Sequence, residues 1–465
     1  MAYISQRDAV AGLTHGASHL LALALRAERE PGAWRSRYAR LLEHPAIVAP
    51  PGSGASAPLA EAGIAGQYAL RFPQVSGDSD WLRQRSMVVM ARRLAPLLAR
   101  GASVAVDLTR LSRGDACADT RRDQMRDVVA GFAQALPAAL GGFGVSAGRL
   151  VLSAEADHPG LGELLRLRAA GQPERPRIVL RLTDRLFQAI GTARSGAAST
   201  DALGRWQGLT TLAQREPGVH LVLPETTRSA CTLASGERAD AVLPGSLFEA
   251  RTETAWIAFG LQLDRLAARD MAGALAELRD LLCALLRFAD NLVDQLDWPS
   301  PELGQDALVN RRLALHVTGI GALADRWSLD PGNFASVELL LRWLGIVRRL
   351  VVRESNALAR ERGPFPGLEL RQLTRSLTRT LGEERAGRAL RRAGLRHRHL
   401  LVLSPYDVFP GSAPRRPQAA YLHLLPAIRL ADTIAMHGDG VARALPPQVF
   451  RRLIHQSWVI ARNRP

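Results

Sequence analysis

LLRFADNLVDQLDWPSPELGQDALVNRRLALHVTGIGALADRW, residues 285–327, is the most informative stretch of this chain. Its first part continues a long amphipathic helix spanning 272–297, and its last part, RLALHVTGIGALADRW, reads as a β-strand running into a helix. Further toward the C-terminus, 333–362 forms another long helix, and HLLVLSPYDVF (399–409) is a strand that ends in a loop. Toward the N-terminus, SVAVDLTRL (103–111), GRLVLSAE (148–155), PRIVLRLTD (176–184) and GVHLVLP (218–224) are short, rich in β-branched residues and bounded by Gly or Pro. Between them lie helical stretches such as DWLRQRSMVVMARRLAPLLARG and HPGLGELLRLRAAG. Alternating β and α blocks imply an α/β fold with mostly parallel strands. Residues 1 to about 45 read as helical, with Leu20, Leu21, Leu23 and Leu25 near a capping Ser18, and a loose APPGSGASAP ends that region near residue 58. No linker or low-complexity segment follows residue 60, which favours one large domain.

The chain has 465 residues, 47% of them hydrophobic and 22% charged, so it can bury a substantial core. No apolar run reaches the roughly 18 residues that span a bilayer, and the N-terminus lacks the pattern of a signal peptide; a cytoplasmic protein with no membrane partner is expected. Cys117, Cys231 and Cys283 are far apart, which argues against a disulfide framework or thiolate zinc site. All 60 basic residues are Arg. Without a Lys there is no Schiff base, no pyridoxal phosphate anchor and no Walker-type phosphate loop. The net charge of +16 would suit a polyanionic partner, but the arginines are spread along the chain, as a compositional bias would spread them.

Seven blocks resemble the large, catalytic subunit of ribonucleotide reductases, in that family's order. Residues 285–327 resemble its "aVRfLDnVId…yP…RRiGlGvtGlADll" block, and ESNALARERGPFPG (354–367) resembles "SaeLAkErGpFp". ARGASVAVDLTRLSRGDA (99–116), ADHPGLGELLRLR (156–168), RIVLRLTDRLFQAI (177–190), SACTLASG (229–236) and LLVLSPYDVFPG (400–411) are similar to further family blocks. The resemblance implies a ten-stranded α/β barrel of two five-stranded halves, with a finger loop inside that carries the catalytic residues. On this basis 1–60 is an N-terminal helical segment, 61–445 the barrel and 446–465 a C-terminal helical tail.

The same resemblance implies that the family's radical chemistry is missing. The finger loop reads Asn-x-Cys-x-Glu in the family, where the Cys becomes a thiyl radical and the Glu is a base. The matching stretch here puts Glu216 near the Asn, Gly218 at the Cys and His220 at the Glu, and no cysteine lies between 118 and 230. Cys231 matches one member of the reducing pair, but QYALRFPQ has no cysteine where its partner belongs. In SPYDVFPG, which contains Ser404 and Tyr406, Asp407 faces the place of a substrate phosphate, and a carboxylate repels phosphate. Asp78 and Ser79 resemble the start of the family's effector site, and Asp78 reads equally as a helix N-cap.

Other candidates have structural readings beside the functional ones. Cys231 is either a small buried hydrophobe or a remnant thiol. Cys283 faces the apolar side of its helix. His397 and His399 share one strand face, and His15 and His19 sit one helical turn apart, but neither pair has a third ligand. Asp290 and Asn291 read as a structural helix face. No metal and no cofactor are expected. The resemblance points to a reductase-like protein, non-catalytic or repurposed, that binds a nucleotide-like or other small ligand in its barrel and works with a partner subunit or as a homodimer. The alternatives are a genuine ribonucleoside-diphosphate reductase, a new reaction using Glu216, His220 and Asp407, and a basic nucleic-acid-binding protein. The last is disfavoured by the scattered charge and by an aromatic content of 5%.

Overall fold

The structure is a computed structural model that describes residues 17–48, 66–71, 80–99, 102–108, 118–140, 149–169, 176–183, 185–186, 188–189, 200–215, 219–222, 241–242, 249–250, 253–329, 334–368 and 400–405. Helices α1 (Ala17–Arg26) and α2 (Pro31–Glu43) and a short strand β1 (Ile47–Val48) make up the N-terminal segment. The helical reading of this region gains a break before Pro31, which has no N–H with which to continue a preceding helix.

A first α/β series then runs β2 (Gly66–Arg71), α3 (Asp80–Ala99), β3 (Ser103–Asp107), α4 (Ala118–Leu140), β4 (Arg149–Glu155), α5 (Leu161–Ala169), β5 (Arg177–Arg181), α6 (Thr200–Arg215) and β6 (Val219–Val222). Strands β7 (Ala241–Val242) and β8 (Glu249–Ala250) pair with each other in a separate small sheet. The second series is β9 (Thr254–Gln262), a 3-10 turn, α7 (Met271–Gln295), α8 (Pro301–Asn310), β10 (Arg312–Thr318), α9 (Ile320–Arg326), α10 (Phe334–Arg362) and β11 (Leu400–Pro405). Among the described residues no helix is long and apolar enough to cross a membrane.

The main sheet has the order β11-β10-β9-β2-β3-β4-β5-β6. Strands β2 to β6 are all parallel, as are β9, β10 and β11. The two sets meet at an antiparallel seam, where Gly66 pairs with Ile257 and Ala69 with Thr254. Since β10 fills one edge of β9, the other edge is shared: β2 takes residues 254–257, and β1 takes Gly260 and Leu261. The N-terminal segment thus completes the edge of β9 that β2 leaves open.

Successive side chains on a strand point to opposite faces. One face packs on helices. Val104, Val106, Leu150, Leu152, Ile178, Leu180, Val219 and Leu221 join apolar residues of α3 to α6 in one cluster. Ile257, Phe259, Leu261, Leu313, Leu315 and Val317 join α1, α2, α7 and α10 in the other. The opposite face is covered as well. Ala105, Val151, Val179, Ala258 and Ala314 are each 0% exposed yet belong to neither cluster. Strands buried on both faces explain the near-continuous apolar runs of the sequence.

Helices α7 and α10 run parallel. Trp343 Nε1 donates to the Met271 carbonyl and Arg362 Nη1 to Asp290 Oδ2, the same sequence offset at both ends. This follows from two successive crossovers of one hand between parallel strands. In the first series helices approach closely at glycines: a Cβ on Gly131 would lie 2.3 Å from Met87 Cγ, and one on Gly160 would lie 2.5 Å from Met125 Cβ.

Candidate functional site

The second sheet face carries the chemistry. By alternation it contains Ser103, Ala105 and Asp107 of β3, Val151 and Ser153 of β4, Val179 and Arg181 of β5, and Ala258, Gly260 and Gln262 of β9. It also contains Arg312, Ala314 and His316 of β10. Asp107 is 2% exposed, Ser153 0% and Arg181 7%. Ser153 Oγ donates to Asp107 Oδ1 at 3.3 Å, and Arg181 Nη1 lies 3.9 Å from the same oxygen. These three residues stand at or near the C-terminal ends of neighbouring parallel strands, where α/β sheets receive ligands.

At the beginning of β9 and β10 the same face is sealed. The Arg312 guanidinium lies over the Trp256 ring, 5.3 Å from its centroid, and pairs with Asp306 at 2.9 Å. Trp256 Nε1 donates to Thr254 Oγ1. His316 is fully buried, and burial pulls its imidazole down to about 3, so it is neutral at physiological pH. At the end of β9, Gln262 Oε1 and Asp264 Oδ1 are buried and accept no hydrogen bond from the described residues. Asp264 lies against Gly319, whose φ of +72° and close backbone approach leave no room for a side chain.

A second polar group lies on the helix side, and it holds the fold together. Glu28, between α1 and α2, has a side chain 1% exposed. Its carboxylate accepts from Tyr38 Oη (2.5 Å), Asn291 Nδ2 (2.6 Å), Arg287 Nε (2.8 Å) and Arg362 Nη2 (3.2 Å). Burial alone would raise its pKa, but hydrogen bonds from Arg287, Tyr38 and Asn291 outweigh it and hold Glu28 at about 2. Burial and the Glu28 hydrogen bond push the Tyr38 phenol well above its usual range. Asp290, fully buried, binds Arg311 at 2.6 Å and Arg362 at 2.8 Å. Arg311 has a φ of +45°, and its guanidinium is fixed by Asp290 and by Asp294. Glu361 closes the rim on Arg287 at 2.7 Å. Asp290 and Asn291, which read in sequence as a structural helix face, are the buried centre of this cluster.

Of the expected site residues, His220 lies in β6, in register with Val179 of β5. Ser404 lies in β11, in register with His316 of β10. Glu216, Gly218, Cys231, Tyr406, Asp407, Asp78 and Ser79 lie outside the described residues, as do His15, His397 and His399. Cys283 is half-buried beside Glu354 of α10 rather than in a purely apolar surround, and burial pushes its thiol pKa up. Sequence reading missed Asp107, Ser153 and Arg181 as a group. The available signal was a charge ending an otherwise apolar strand, in SVAVD and RIVLR. Among the described residues no His, Cys, Asp and Glu side chains converge on a possible metal site.

No family model matches the chain. Over 99 residues it is 29% identical to the vitamin B12-dependent ribonucleoside-diphosphate reductase of Mycobacterium tuberculosis, in two strains. The match covers 21% of this chain and 14% of each of those proteins. The similarity supports a relation to ribonucleotide reductases at the level of the family and no finer.

Proposed function

We propose that this chain folds as a ribonucleotide-reductase-like barrel of ten strands and binds a nucleotide-like or other small ligand inside it, without the family's radical chemistry. The observation that carries this reading is the antiparallel seam between two parallel sets, one of five strands, with a polar face buried on the side away from the helices. A sheet face away from the helices that carries buried polar residues among small apolar ones suits the inside of a barrel. The partial similarity to reductases points the same way.

The non-catalytic part rests on the resemblance, which aligns Gly218, directly before β6 in sequence, with the radical cysteine. A glycine has no S–H bond from which a radical could form. The relatives' names carry vitamin B12, and the described residues do not fit a cobalamin-dependent radical step. Cys283, the one cysteine among the described residues, sits on α7 beside Glu354, on a helix rather than on the polar sheet face.

The test is an assay of ribonucleotide reduction with adenosylcobalamin or another radical source, a dithiol reductant, and nucleoside di- and triphosphates. No turnover is expected, while the same nucleotides or their nucleosides raise the melting temperature. Turnover above the protein-free background would establish a genuine reductase and end the non-catalytic reading.

A further inference from the structure

We infer that the solvent side of α10 is a docking ridge for the phosphodiester backbone of a nucleic-acid duplex, carried by Arg349, Arg353 and Arg360. The ridge is independent of the barrel reading and of any ligand inside the barrel.

The arginines are spread along the sequence, but α10 lines three of them up. A helix turns about 100° per residue, so Arg349, Arg353 and Arg360 lie within about 40° of one another along about 16 Å of axis. All three are exposed, while Val347, Val351 and Leu358, on the opposite side of the helix, are buried in the core. Among the described residues Arg349 and Arg360 enter no ion pair. Arg353 meets its neighbour Glu354 at 2.8 Å, yet its side chain stays 49% exposed.

The carboxylates of α10 are turned aside. Glu354 accepts a hydrogen bond from the Cys283 thiol of α7, and Glu361 is held by Arg287 at 2.7 Å. Both stand roughly 100–120° round the helix from the row. Packing against α7 thus occupies the acids and leaves the arginines without matching negative charge. Arg342 continues the row, but Glu338 stands one turn before it in sequence, so the three later arginines form the ridge. Exposed arginines of the first series are placed differently: Arg126 pairs with Asp123 and Arg166 with Glu163, each on its own helix at 2.5 Å.

The row also selects the kind of polyanion. Guanidinium groups on a rigid helix suit the regular, bidentate demands of a phosphate backbone. The helix positions beside the row are Ile346, Val352, Asn356 and Ala357, none aromatic and none exposed. Single strands need aromatic platforms for their bases, and protein partners dock on aromatic anchors. A lipid surface needs apolar side chains free to insert, and Ile346 and Val352 are partly buried. A duplex needs only its phosphates neutralised.

The test is fluorescence anisotropy of the full chain with a labelled DNA duplex of about 24 base pairs, at salt from about 50 to about 200 mM. Binding at about 10⁻⁶–10⁻⁴ M is expected, weakening steeply with salt. Arg349→Gln, Arg353→Gln and Arg360→Gln together should weaken it about tenfold or more, and flatten the slope of log affinity against log salt by about 2–3. Arg122→Gln, Arg126→Gln and Arg166→Gln together remove the same charge elsewhere and should change affinity less than about threefold. Equal weakening by the two sets would reduce the effect to net charge and overturn the ridge. No binding by the wild type would overturn it as well. So would tighter binding to vesicles of anionic phospholipid or to polyglutamate than to the duplex. Circular dichroism checks the fold of each variant. If the triple α10 variant does not fold, Arg360→Gln alone should flatten the slope by about 1, and an unchanged slope there removes the ridge.

Discussion

Around β9 and β10 the helices add a buried charge network to their apolar packing, whereas around β3 to β6 they meet through apolar side chains and the space left by glycines. In the first region Glu28, Asp290, Asp294 and Glu361 interlock with Arg287, Arg311 and Arg362 across the α1–α2 turn, α7, α10 and the turn before β10. In the second, Met87 and Met125 press against Gly131 and Gly160, and a buried ion pair, Asp107 with Arg181, sits on the far face of the sheet. Six of the seven charged residues of the first cluster fall in the two blocks, 285–327 and 354–367, where the resemblance to reductases is plainest; only Glu28 lies outside them. The blocks quoted for the resemblance thus contain most of the charged residues that tie these helices together.

Four measurements test this contrast. The largest effect is expected at Asp290. Its removal in Asp290→Ala leaves Arg311 and Arg362 facing a buried site without their shared carboxylate, at a cost of about 3–5 kcal/mol in urea unfolding. A cost below about 1 kcal/mol, the scale of a surface pair, would place the stability of this region elsewhere.

Glu28 should be visible in the acid limb of stability. Its carboxyl titrates at about 2 in the folded protein against 4.5 as an ordinary glutamate. A depressed folded pKa contributes stability that is fully present above the unfolded value and is lost as pH falls toward the folded one. The melting temperature should thus fall between pH 4.5 and about 2 more steeply in the wild type than in Glu28→Gln. Parallel curves for the two would mean that Glu28 carries no linked proton.

In the apolar region, Gly131→Ala should cost about 1–3 kcal/mol from overpacking against Met87, despite the higher helix propensity of alanine. Adding Met87→Ala should recover part of that loss, and chemical unfolding of the pair of variants measures it. The smallest effect is expected at the seam. Arg93 on α3 reaches Glu253 before β9 at 2.8 Å, but both side chains are about one-third exposed. Arg93→Ala should change stability by about 0–1 kcal/mol, and less at high salt.

Much of the strand and helix order could be read from local pattern. The runs at 103–111, 148–155 and 176–184 contain β3, β4 and β5, each trimmed where a charged or turn residue ends the apolar run. The long helix at 272–297 is α7 to within two residues, with Asp270 as the N-cap accepting from Gly273. Asp290 and Asn291 were legible as helix positions and not as a buried hub, because Asn291 meets Glu28 across 263 residues of chain. The same holds for Asp107, which reaches Ser153 from 46 residues away.

Composition and periodicity were enough to establish that this chain alternates strands and helices, lacks lysine chemistry, and carries no cysteine between 118 and 230. Those properties are local, since each depends on a residue's identity or on its neighbours within a few turns. Three features needed the folded chain: the antiparallel seam between two parallel sets, the contrast of an apolar with a polar sheet face, and the choice of which charges are buried together. Such pairings depend on strand register and helix crossing, which bring together residues that share no stretch of sequence.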